Sequence, residues 1–267
     1  RDTERHGFVR RPGRAHCGEN FEREAQAVAF IVPGGACQGA GDASPSALAA
    51  RWRAVGHEVG NHTYTHRDYN GLPAEAYIDE IERAHEAIEP VLVATGQQSR
   101  WFRPPLLHAG ADVERRRALD DWLNLHNYGM GVVTIDNQEW VFAAAYDRAR
   151  ARGDVSLMSA IVTAYVEHIL ESAEYYRSLS RSLFERETPQ VLLLHANRLN
   201  ADHLDDVLAA LEGTGARFVP LREALDDPAY RSPDEYIGPR GLSWLQRWAF
   251  TRGVTPPPEP REPGWLQ

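Results

Sequence analysis

Lysine is absent from the 267 residues, so all 29 basic side chains are arginine. A bias carried by the whole chain reflects composition and cannot mark an arginine-specific surface. Cysteine is nearly absent as well. Cys17 and Cys37 are the only two, and without C-x-x-C spacing they supply neither a disulfide framework nor a cysteine zinc site. An excess of positive charge is missing: 38 acidic against 29 basic residues leave a formal net charge of −9. That balance argues against a nucleic-acid partner held through phosphates and leaves neutral polymers or small molecules. No apolar run approaches the roughly 20 residues that span a bilayer. The N-terminal stretch has no apolar core of the signal-peptide kind. Residues 1–26, "RDTERHGFVRRPGRAHCGENFEREAQ", carry neither a strand nor a helix period and read as unpatterned.

What remains is the composition of a globular domain, 43% hydrophobic and 25% charged. From residue 27 the patterning is clear. "AVAFIVPGG" is a buried strand closed by a loop, "SPSALAARWRAVG" a helix with start and stop signals, and "HEVGNH" a short strand. "LPAEAYIDEIERAHEAIEPVLVATG" places Ala76, Ile78, Ile81, Ala84 and Ile88 close to helical spacing, with Pro90 expected to kink or end the helix. "RWFRPP" is a brief strand, "ADVERRRALDDWLNLHNYG" a helix and "MGVVTIDN" a buried strand. A helical insertion covers 139–187, broken near "RGD" at 152–154. "TPQVLLLHAN" and "ARFVP" read as strands, flanked by the helices "DHLDDVLAALEGTG" and "LREALDD". Alternation of this kind predicts an α/β fold with a parallel sheet over 27–230. The remainder, 231–267, reads as a peripheral tail that ends in the extended "TPPPEPREPG".

In parallel α/β folds, chemistry gathers where strands end. "GHEVGNHTYTH" sets His62 and His66 four apart just beyond a strand, a spacing that lets two imidazoles reach one ion but lacks the glutamate that makes H-E-x-x-H specific. Arg103 ends the "WF" strand, Asp136 ends "VVTI" and His195 ends "VLLL". These residue types at separate strand ends predict a converging site.

The stretches "AVGHEVGNHTYTH", "WFRPP", "TIDNQEW" and "VLLLHA" occur in the order and at spacings that resemble the polysaccharide deacetylases with the NodB homology domain, carbohydrate esterase family 4. The resemblance covers about 27–225. It implies a distorted (β/α) barrel and metal-dependent removal of N-acetyl or O-acetyl groups from a saccharide. By the same resemblance His62 and His66 are ligands of a divalent metal, usually zinc, and His195 is the general acid that protonates the leaving amine. Leu193 would line the acetyl pocket and Trp140 wall it. Arg103 would hold a catalytic carboxylate ionised. Either Asp136 or Glu139 would orient His195, and Asp136 is preferred because it lies directly at the strand end. Leu106 stands where family members often carry an aromatic residue. His57, His108, His126, His168 and His203 read as structural. Family members are often exported to the periplasm or cell envelope.

One motif of the family is not found. T-F-D-D, which would supply the base and a third metal ligand, occurs nowhere in the sequence. The expectation is a barrel incomplete at its first strand, with weakened metal binding and little activity. It would arise from a truncated or misread gene, or in a carbohydrate-binding pseudoenzyme. An unrelated α/β domain would instead leave His62, His66 and His195 unconverged.

Overall fold

The structure, a computed structural model, describes residues 25–34 and 44–266; Cys17, Cys37 and most of the unpatterned 1–26 segment lie outside the described residues. Val28–Ile31 (β1), Glu58–Asn61 (β2), Trp101–Phe102 (β3) and Gly129–Met130 (β4) pair side by side in chain order, all parallel. Val28 faces Glu58 and Ile31 faces Asn61; Asn61 then faces Phe102, and Trp101 faces Gly129. Parallel neighbours need long crossovers. Pro45–Ala54 (α1), Ala74–Ala94 (α2) and Val113–Leu125 (α3) supply them. Ser44 caps α1 through the Ala47 amide at 3.2 Å, and Asp112 caps α3 through Arg115 at 2.9 Å, each satisfying a free N–H of the first turn.

Helix α2 buries Tyr77, Ile81, Ala84 and Ile88, one stripe at helical spacing. Ala76, expected on that face, is exposed, and Ile78 is only half-buried. Pro90 does not end the helix, which continues to Ala94. Its ring removes one backbone bond within the last turns, while Val91 and Leu92 bury beside Ile88 and hold the helix on the sheet.

The two expected strands "MGVVTIDN" and "TPQVLLLHAN" meet only in an isolated parallel bridge, Ile135 with Leu192. The reason lies in how the carbonyls after Met130 are used. Gly131 and Val132 accept from Arg103 at 2.9 and 3.5 Å, and Val133 accepts from the Trp244 amide at 2.8 Å. Carbonyls turned toward those donors do not continue a regular ladder, and only the amides of Thr134, Ile135 and Leu193 keep backbone bonds across the two segments. "ARFVP" forms no strand; Phe218 packs against the larger core instead.

That core is built by Glu139–Ala151 (α4), Val155–Phe184 (α5), Arg198–Gly213 (α6), Leu221–Leu225 (α7) and Trp244–Thr251 (α8). The break at 152–154 is present, with Gly153 at φ 68° and Asp154 capping α5. Tyr165, Tyr176, Phe142 and Trp248 are among the largest fully buried side chains, each worth about 1.5–3 kcal/mol of transfer free energy. The segment 231–267 is not peripheral: Trp244, Leu245, Trp248 and Leu266 are buried in this cluster. No helix among the described residues is long and apolar enough to cross a membrane.

Candidate active site

Beyond β2 the backbone turns sharply, with Thr63 and His66 at φ 61° and 58°. A β-branched residue in the left-handed region is costly, about 1–3 kcal/mol, and persists only where neighbours impose it. They do. Asn61, fully buried, accepts the Thr63 amide at 2.9 Å and donates to the Ile81 carbonyl at 2.9 Å, and Thr63 Oγ1 accepts the His66 amide at 3.1 Å. Glu80 holds the same loop through Thr65 N and Oγ1, both at 2.7 Å. The outcome is a pair of imidazoles edge to face, 4.8 Å between centroids. His62 Nδ1 donates to the Arg103 carbonyl at 2.6 Å, so its lone pair lies on Nε2.

Burial lowers His62 to about 3, with like charge from His66, Arg103 and His195 acting in the same direction. Burial and His195 lower His66 too. Both rings are therefore neutral near pH 7, the form that binds a metal. The pair suits a first-row divalent ion, but among the described residues no group of three His, Cys, Asp or Glu gathers to complete the set.

Arg103 is buried at 8% exposure. Its guanidinium lies over the Phe30 ring at 4.1 Å, and its polar contacts are the carbonyls of Gly131 and Val132. Phe30 fills the space above Gly60 and Gly131, where any side chain would strike its ring. Among the described residues Arg103 has no carboxylate partner. Burial draws its pKa down to about 9, offset in part by the charge of Asp136. Guanidinium stays protonated in proteins, so this is a cation kept in place against a desolvation cost.

The opposite flank is built around Glu139, 1% exposed, at the first turn of α4. One carboxylate oxygen accepts the His195 amide at 3.0 Å, Asn197 Nδ2 at 2.7 Å and Asn200 Nδ2 at 2.9 Å; the other accepts His195 Nδ1–H at 2.8 Å. Asn200 also donates to the His195 carbonyl and accepts from Tyr165. His195 Nε2 is left for the site. The hydrogen bond to Glu139 raises the His195 pKa above the ordinary imidazole value, burial opposing. Its charge is felt at both His62 and His66, so the three imidazoles share one field.

The preferred partner of His195, Asp136, is thus replaced by Glu139 in the geometry. Asp136 accepts the Asn137 amide at 2.9 Å and makes no hydrogen bond to His195; burial, then Glu259, raise its pKa. Strand-end position misled because Gln138, at φ 56°, turns the chain and aims the first residue of α4 inward. Leu193 pairs through its backbone with Ile135 and Asn137. Trp140 is 57% exposed, its indole N–H on Gln138 at 2.9 Å. Asn197 and Asn200, which sequence reasoning missed, follow His195 within "HANRLN". His168 is buried and donates to the Asn137 carbonyl at 2.7 Å, a structural contact.

Comparison with known proteins bears on this arrangement. Residues 22–120 match the family model described as polysaccharide deacetylase. Over 93 residues the chain is 30% identical to the uncharacterized protein YlxY of Bacillus subtilis, covering 35% of this chain and 26% of that protein. The chain therefore spans about a quarter of the length of that curated relative. Among solved structures, the chitin deacetylase of the fungal pathogen Colletotrichum lindemuthianum superposes with a TM-score of 0.51 at 17% identity, over 81% of this chain and 80% of that one. A mutant of BA3943, a CE4 family pseudoenzyme from Bacillus anthracis, gives 0.48 at 17% identity, over 76% and 57%. The arc of parallel strands with outer helices is that of the distorted (β/α) barrel, incomplete among the described residues. The motif order and the family match agree over the first part of the chain: residues 22–120 are similar to the polysaccharide deacetylases, and the fold is that of a solved chitin deacetylase.

Proposed function

We propose that this chain is a metal-dependent deacetylase of an N-acetylated or O-acetylated saccharide, with His195 as the acid. The observation that carries the reading is the fourfold-bonded Glu139 holding His195, whose charge bears on both His62 and His66. Glu139 fixes the tautomer: Nδ1–H is committed to the carboxylate, and Nε2 delivers the proton to the departing nitrogen. An amine leaves only once protonated, and the raised pKa keeps that proton available toward neutral pH. His62 and His66 would hold the metal, zinc being the usual ion for such donors, which supplies Lewis-acid polarisation of the acetyl carbonyl and activation of water. Leu193 and Trp140 are proposed to border the acetyl group. Release of acetate from N-acetylated chito-oligosaccharides, measured with zinc content, tests this. Zinc-dependent release abolished in His195→Ala supports it; release that persists in His195→Ala overturns it.

A second reading, saccharide binding without chemistry, is favoured by one observation: Arg103 is a buried cation with no carboxylate partner among the described residues, in a sequence without T-F-D-D. Saccharide bound with no acetate released would select it.

A further inference from the structure

Asp136 borders a second hollow. A cavity of about 260 Å³ lies between the end of the "VVTI" segment, α5 and the returning C-terminal tail, lined in part by Asp136, Ser172, Glu259, Arg261 and Glu262. The tail is tied there. Tyr175 donates to the Pro257 carbonyl at 2.7 Å, Tyr176 donates to Glu259, and Arg148 donates to the Leu266 carbonyl at 2.6 Å. Pro258 and Pro260 stiffen its rim.

The lining carries carboxylates from Asp136, Glu259 and Glu262 against one cation, Arg261. Among the described residues, no ion pair within 4 Å involves any of these groups. A further observation points to a guest. Ser172 is 2% exposed and lines the cavity, yet its hydroxyl has no hydrogen-bond partner among the described residues. The three carboxylates favour a guest that carries positive charge, and the Ser172 hydroxyl can accept one of its hydrogen bonds. A divalent metal is the poorer candidate, since no three ligating side chains among the described residues come close enough together. An ammonium has three donors and tolerates looser geometry. The volume equals roughly eight or nine waters, room for one sugar ring.

We propose that this hollow binds the primary ammonium of an amino sugar, with Asp136 and Glu259 as the counter-charge and Ser172 as a further acceptor. The site goes beyond the deacetylation reading, because its ligand is the free amine and no bond need be cleaved for it to fill.

The test titrates the full chain with glucosamine, N-acetylglucosamine and glucose below the pKa of the amine, by calorimetry or ligand-observed NMR. Glucosamine is expected to bind at least ~10-fold more tightly than the other two, about 1.4 kcal/mol. Glu259→Gln, which keeps an acceptor for Tyr176, should erase that preference without lowering the unfolding midpoint; Ser172→Ala should weaken it less. Equal affinity for all three sugars, no glucosamine binding, or an unchanged preference in Glu259→Gln overturns the proposal. Absence of acetate release leaves it standing, so the two readings fail separately.

Discussion

On the His195 flank the Glu139 carboxylate is saturated by backbone and side-chain donors from the 195–197 loop and the first turn of α6, whereas on the His62 flank two neutral imidazoles and a buried guanidinium have no carboxylate hydrogen-bond partner among the described residues. The first flank is organised before any ligand arrives. The second is shaped but under-supplied with negative charge. The contrast separates two properties usually read together: a proton donor can be fully positioned while the group it serves is only half held.

The sharpest way to break the comparison is kinetic. If the acid flank is competent, Glu139→Gln and His195→Ala each lower acetate release by about 10²–10⁴-fold while saccharide affinity is kept. Equal turnover in either variant and the unmutated chain would dissolve the distinction. Stability comes next. Glu139→Ala strips a partner from several buried donors and should cost about 3 kcal/mol in urea unfolding, against about 1 kcal/mol or less for Asp136→Ala.

Arg103→Met should behave in the opposite way. Replacing a buried charge that has no carboxylate partner among the described residues by an apolar chain of similar length is expected to leave unfolding stability in urea within about 1 kcal/mol or to raise it. A large loss would mean that the carbonyl contacts of Arg103 outweigh its desolvation. The smallest effect is titration of His195 by NMR. Its pKa is raised in the folded chain, so its stabilising contribution is complete below the ordinary imidazole value and is lost as pH rises through the raised one. Glu139→Gln should bring the titration back down, and Asp136→Asn should move it less, because the Glu139 contact is the larger cause.

Much of this was legible in the residues. β1, β2, β3 and the helices between them follow from apolar runs bounded by turn residues, and "GHEVGNHTYTH" gave the imidazole pair its place at a strand end. The choice between Asp136 and Glu139 was not legible, because it depends on the φ of Gln138, a torsion that no residue pattern specifies. The shortened strands escaped for a related reason. Val132, Val133 and Ile135 have strand propensity, but tertiary donors from Arg103 and Trp244 claim their neighbourhood. Helix α8 did carry a signal: "SWLQ" is a capping box, with Ser243 Oγ accepting the Gln246 amide and Gln246 Oε1 accepting the Ser243 amide.

The bond from the Trp244 amide to the Val133 carbonyl has a consequence for how the chain tolerates cutting. It makes α8 a clasp laid along the margin of the arc, with Trp248 and Leu245 pushed into the hydrophobic interior behind it. A polypeptide clipped ahead of that clasp would present a bare, adhesive rim to its neighbours and gather into precipitates, even with every imidazole of the site intact.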